Sequence, residues 1–263
     1  MGSPASTLVI GGETFNIQID GADCAPVLML SNSLGTDLSM WDAQVAEWAR
    51  HFRVLRYDSR GHGKSTAPDR PYSIAELGRD ALNILDALGI AKAHWCGLSK
   101  GGMVGMWLAT HAPERFGRVV LANTSAHMGP PDLWNGRIRT VRKDGMAGVV
   151  DAIIERWFTP GYRAQAPAAL AAVRQVILAT PPHGYAGCCS AIRDMDQREA
   201  IRAIALPTLV IVGSADPATP PAVGELIRER IANSQLVTLE AAHLSNLEQP
   251  EAFTQAVLRF LKG

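Results

Sequence analysis

The chain has 263 residues, 47% hydrophobic and 19% charged, which is enough apolar sequence for a sizeable core and excludes disorder. Lys+Arg and Asp+Glu balance at 25 each, which argues against the basic stripe of a nucleic-acid binder. No stretch reaches the roughly 18 apolar residues that span a bilayer, and residues 1–10 lack the charged start and apolar run of a signal peptide.

A soluble, cytoplasmic protein is therefore expected, with no membrane partner. Residues 1–6 (MGSPAS) fit a loose myristoylation pattern, but nothing nearby is polybasic, so the pattern is read as fortuitous. Two alternating segments, 7–10 and 14–19, flank Gly11-Gly12 and predict a hairpin. Residues 26–30 (PVLML) form a continuous apolar run, the mark of a strand buried on both faces. A helix is predicted over 40–48, with Trp41, Val45 and Trp48 on one face, and a strand over 53–57. The alternation continues with a helix over 74–88, a strand over 93–96, a helix over 101–110 and a strand over 119–122. Beyond the middle of the chain come strands over 207–212 and 235–239 and helices over 222–231 and 251–261. Strands alternating with helices imply an α/β fold with a mostly parallel sheet covered on both faces.

One region breaks the pattern. From about Ser125 to Arg202 there is no convincing strand, and the segment reads as helical. The expected division is a core of residues 1–124 and 203–263 with a helical cap, or lid, over 125–202, because long insertions of this kind usually serve function. The adjacent Cys188 and Cys189 read as small apolar residues in a helix rather than a vicinal disulfide, and no cysteine pair has C-x-x-C metal spacing.

The chemistry centres on Gly97-Leu98-Ser99-Lys100-Gly101, a G-x-S-x-G between a predicted strand and a predicted helix. A serine on so tight a turn is pushed out above the sheet edge, with the positive end of the next helix beneath it. Its hydroxyl needs a base, and His243 lies just beyond the last strand; that histidine needs a carboxylate, and Asp216 follows the strand over 207–212. Ser99, Asp216 and His243 thus form a candidate triad in the chain order Ser, Asp, His. The other histidines (His51, His62, His94, His111, His127 and His183) read as structural residues or lid contacts. Oxyanion donors are expected from the backbone N–H of Leu34, in the loop after the 26–30 strand, and of Lys100. The GKS within 58–65 lacks phosphate-loop spacing, which excludes nucleotide binding there.

The segments SNSLGTDLSMWD, YDSRGHGKS, GLSKGGMVG, IVGSADPATP and AAHLSN together resemble the α/β hydrolases of the 3-oxoadipate enol-lactonase group across nearly the whole chain. RWFTP and GYAGCCSAIRD, both in the insertion, add to the likeness. The resemblance implies the α/β-hydrolase fold, with a mostly parallel eight-stranded sheet and a helical cap between two strands. It implies opening of the enol-lactone ring to 3-oxoadipate in bacterial breakdown of protocatechuate and catechol, with no metal and no organic cofactor.

Lys100 departs from the group, where an apolar residue such as methionine is expected. Its side chain is expected to point into solvent, the alternative being a role in attracting an anionic substrate. The carboxylate of such a substrate calls for a cation in the cap, from Arg137, Arg139, Arg156 or Arg193. Arg137 is the first choice, because Trp134 three residues earlier shares its face on a helix, although Gly136 weakens that helix. Trp134 and Trp157 are candidate walls of an apolar pocket. A general carboxylesterase or carbon–carbon bond hydrolase would use the same triad, and a ligand receptor on a hydrolase fold is a third reading. The oligomeric state is left open, a homo-oligomer included.

Overall fold

The computed structural model describes residues 5–263; the myristoylation pattern begins in residues 1–4, outside the described residues. The first alternating segments form a hairpin, β1 (Ser6–Ile10) and β2 (Glu13–Asp20). β3 (Val27–Ser31) follows, with Leu28, Met29 and Leu30 wholly buried, as a strand covered on both faces requires. A 3-10 turn over Leu38–Trp41, capped by Asp37, leads into α1 (Asp42–Trp48), so the predicted helix begins two residues late. Trp41 and Trp48 stack obliquely with Phe253, their ring centroids 6.0–6.3 Å apart.

The alternation then runs through β4 (Arg53–Tyr57), α2 (Ile74–Ala87), β5 (Ala93–Leu98), α3 (Lys100–His111) and β6 (Phe116–Ala122). Between β6 and the next strand the chain forms only helices: α4 (Pro131–Asp144), α5 (Val150–Trp157), α6 (Pro160–Gln165), α7 (Pro167–Ala179) and α8 (Pro182–Asp194), besides short 3-10 turns. This excursion leaves and rejoins the core at one place, where Gln197 N–H donates to the Ala126 carbonyl at 2.8 Å and His127 bridges Asp196. β7 (Thr208–Gly213), α9 (Pro221–Arg230), β8 (Ser234–Leu239), α10 (Ser245–Glu248) and α11 (Pro250–Lys262) complete the chain.

The eight strands make one sheet in the order β1-β2-β4-β3-β5-β6-β7-β8. β2 runs antiparallel to β1 and β4, and all later pairings are parallel. From β3 the chain turns outward to β4 and then returns to β5 on the other side of β3. The carboxyl ends of β3 and β5 therefore diverge into a crevice, the usual ligand position in an open parallel sheet. Among the described residues no helix is long and apolar enough to cross a membrane. All four cysteines are free, with Cys188 and Cys189 buried in α8.

Candidate active site

Ser99 sits on the crevice, between the end of β5 and the start of α3, with φ +56°, a left-handed conformation that a non-glycine residue seldom adopts. The turn closes because its neighbours lack side chains. A Cβ on Gly97 would lie 2.1 Å from the Gly101 carbonyl oxygen, and one on Gly101 would lie 2.1 Å from that of Ser31. Ser99 N–H donates to Ala122 O at 2.8 Å, and Thr124 Oγ1 donates to Ser99 O at 2.7 Å, tying the strained turn to β6 and the loop after it.

The structure brings the three predicted residues together. Ser99 Oγ is 2.9 Å from His243 Nε2, and His243 Nδ1 is 2.8 Å from Asp216 Oδ2. An ionised carboxylate only accepts, so the proton lies on Nδ1 and Nε2 faces the serine hydroxyl as acceptor. Burial alone would raise the Asp216 carboxyl, but the charge that His243 carries when protonated, with hydrogen bonds from His243 and Thr219, outweighs it and brings it down to about 2. Thr219 donates its hydroxyl to Oδ2 at 2.7 Å and its N–H to Oδ1 at 3.0 Å. Asn123, at the end of β6 with φ +43°, donates Nδ2 to Asp216 Oδ2 at 3.0 Å and to Ala242 O at 3.1 Å. The Trp157 carbonyl accepts the N–H groups of His243 and Leu244, and Glu248 ties Ala242 to Thr159. The histidine loop is thus anchored to the end of α5.

Leu34 lies beside Ser99 in the wall of the same cavity. The Lys100 N–H is the first of α3, a position with no partner inside the helix, and the N-terminal end of that helix adds favourable potential for an anion. The Lys100 side chain corrects the sequence expectation. It is 1% exposed rather than in solvent, and it does not line the cavity either. It is buried close to His62 and Cys188, and burial lowers its amine below the ordinary lysine range. Cys188, whose thiol is near enough to act on that amine electrostatically, lies on α8, nearly ninety positions later in the chain, where no local pattern could announce it.

A cavity of about 400 Å³ opens onto Ser99 and His243 from between the sheet edge and α4, α5 and α8. Trp134, Arg137 and Trp157 all line it, and so does Arg156. α4 continues through Gly136, and the Arg137 guanidinium carbon lies 4.8 Å above the centre of the Trp134 ring. Neither Arg137 nor Arg156 forms an ion pair among the described residues, whereas Arg193, away from the cavity, is paired with Asp194 at 2.7 Å. Arg139 is exposed outside the lining. Burial, and then repulsion from Arg137, lowers the Arg156 guanidinium, so an anion between the two would relieve both.

Sequence reasoning passed over Asn123, Thr219 and Glu248. Thr219, three residues after Asp216, carries the one local signal, an aspartate whose carboxylate caps the turn that follows it. Asn123 and Glu248 act across distances that no spacing rule reaches.

A family model described as the alpha/beta hydrolase fold matches residues 26–250. The chain is 42% identical to 3-oxoadipate enol-lactonase 2 of Acinetobacter baylyi over 97% of its own length and 96% of the relative's. It superposes on the crystal structure of the enol-lactonase from Burkholderia xenovorans with a TM-score of 0.97 and 45% identity, covering 98% of this chain and all of that one. A thermophilic esterase from Thermogutta terrifontis, solved with malate bound, matches with a TM-score of 0.91 and 29% identity over 99% of this chain and 98% of that one.

Proposed function

The chain belongs to the α/β-hydrolase family, and from that premise we propose that it opens 3-oxoadipate enol-lactone to 3-oxoadipate by a Ser99–His243–Asp216 mechanism. One observation carries the substrate class: two guanidiniums without carboxylate partners, Arg137 and Arg156, face the cavity that holds the candidate nucleophile. A small lactone bearing a free carboxylate supplies the missing counter-charge. The enol-lactonase relatives support the same reading.

Ser99 Oγ attacks the lactone carbonyl while His243 Nε2 takes its proton. The oxyanion is held by the N–H groups of Leu34 and Lys100. Collapse breaks the ring C–O bond; the departing enolate receives the proton from His243 and tautomerises to the ketone. Water, deprotonated in turn by His243, attacks the acyl-serine and releases the dicarboxylate. Asp216, ionised throughout, fixes the tautomer and stabilises the imidazolium. The helices over 125–202 act as a cap that supplies the specificity groups (Trp134, Arg137, Arg156 and Trp157), while the core of 1–124 and 203–263 supplies the chemistry. The site of action is the cytoplasm.

The test is the fall in ultraviolet absorbance of freshly made enol-lactone, run beside p-nitrophenyl acetate. Lactone turnover far above ester turnover is expected. An active ester with an inert lactone would leave a carboxylesterase and overturn the substrate.

A further inference from the structure

Beneath the loop that carries the Leu34 N–H lies a histidine that the reaction scheme does not use. His62 is fully buried, and its Nε2 accepts the Gly35 N–H at 2.8 Å. A ring nitrogen that accepts carries no proton, so the proton lies on Nδ1, 3.2 Å from the Arg60 carbonyl. The geometry therefore requires a neutral imidazole in one tautomer. Its surroundings favour that state. Burial, and then the charge of Lys100, holds His62 well below the usual imidazole range, and Cys188 Sγ stands 3.9 Å from Nδ1.

The bond matters because of what it fixes. The Gly35 amide begins the peptide unit after Leu34. The peptide unit before Leu34, which carries the Leu34 N–H itself, is held by its carbonyl, since Ser33 O accepts the Thr36 hydroxyl at 3.0 Å. Leu34 is thus clamped at both ends. Gly35 is confined on its other face too: it has φ +83°, and a Cβ there would come within 3.3 Å of the Tyr185 ring and 3.8 Å of the Trp157 ring. Without His62 the glycine amide would be a buried donor with no acceptor, free to rotate and to carry the Leu34 unit with it. Oxyanion donors stabilise only when aimed within fractions of an ångström of the developing charge.

We infer that His62 is a positioning residue of the oxyanion hole: its unprotonated Nε2 holds the Gly35 amide and thereby aims the Leu34 N–H at the scissile carbonyl oxygen. This rests on the serine-hydrolase reading above but not on the identity of the lactone. Cys188, in contact with the ring, and the buried Lys100 nearby belong to the same arrangement.

The experiment compares His62→Leu, which removes the acceptor, with His62→Gln, which puts an amide oxygen near the position of Nε2. Two probes are used. p-Nitrophenyl acetate reports turnover. Phenylboronic acid forms an O–B bond to Ser99 as the serine proton passes to His243, leaving an anionic tetrahedral boron that needs the oxyanion donors. His62→Leu is expected to lower kcat about 10- to 100-fold, below the full loss of a donor, with KM within about twofold, and to weaken the boronate by a similar factor. His62→Gln should stay within about threefold of wild type. Wild-type rates in His62→Leu, or equal losses in both variants, would overturn the inference.

Should His62→Leu not fold, nitrogen NMR of the wild-type protein with labelled histidine decides. A Nδ1–H tautomer with Nε2 coupled to the Gly35 amide supports the role, and a protonated Nε2 at pH 7 overturns it. A wild type inert to p-nitrophenyl acetate and blind to the boronate would sink the serine-hydrolase reading, and the role of His62 with it. An inert lactone beside an active ester touches only the substrate.

Discussion

The sheet edge and the helical excursion between β6 and β7 contribute to one cavity in opposite ways. On the sheet edge each candidate catalytic group is held largely by backbone devices: Ser99 by a strained turn, Asp216 by the N–H groups of Ala218 and Thr219 besides the side chains of Asn123 and Thr219, and His243 by its loop's bonds to Trp157. On the excursion the cavity groups are long side chains on helices, Arg137 beside Trp134 on α4 and Arg156 beside Trp157 on α5. The first arrangement resists change; the second can exchange one side chain for another without disturbing a hydrogen-bond ladder. On the proposed reading chemistry rests on backbone geometry and selectivity on side chains, and the two should fail in distinguishable ways.

The largest effect tests the sheet edge. Ser99→Ala should lower kcat by about 10⁴-fold or more on lactone and ester alike, with an unchanged circular dichroism spectrum. A variant near the wild-type rate would remove Ser99 from the mechanism. Asp216→Asn should cost about 10⁴-fold in kcat on both substrates, because an amide can donate to Nδ1 and reverse the imidazole tautomer. A loss confined to the lactone would erase the contrast between the two regions.

Variants of the excursion should separate the substrates. Arg137→Met or Arg156→Met is expected to raise KM for the charged lactone about 10- to 100-fold, the value of a charge-assisted hydrogen bond, and to leave p-nitrophenyl acetate within about twofold. Equal effects on both would mean that the arginines support the fold rather than bind an anion. The smallest effect concerns Lys100, which sits between the regions. Lys100→Met should stabilise the protein by about 1–3 kcal/mol at pH 7, read as a higher urea midpoint, by removing a buried charge without a carboxylate partner. The sign with pH is fixed. Burial lowers the folded-state amine, so between that value and ~10.4 the unfolded chain binds more protons. Wild-type stability therefore rises with pH in that window, and its deficit against Lys100→Met should narrow towards pH 10. A gap independent of pH would place the Lys100 charge in water after all.

The same contrast explains what could be read in the sequence. Strands buried on both faces announce themselves as apolar runs, which is why the segment at 26–30 and the strand before Gly97 were legible. Ser99 and Asp216 each follow such a strand and His243 follows the half-exposed edge strand β8, so their juxtaposition followed from topology and chain order. Spacing from Trp134 put Arg137 first among the arginines, but that Arg156 also faces the cavity and Arg139 and Arg193 do not depends on how α4, α5 and α8 pack. The burial of Lys100 and the bond from Gly35 to His62 join segments far apart in the chain. Contacts of that kind leave no periodic trace.

The meeting of Ala126 with Gln197 gives the molecule a seam. Closing a segment whose ends meet costs only about 0.6 kcal/mol more for each doubling of its length. A replacement for residues 128–195 would leave the register of β6 and β7 intact, but it would have to keep the Trp157 carbonyl that holds the histidine loop. For protein engineers the practical target is that junction, more than any single residue of the pocket.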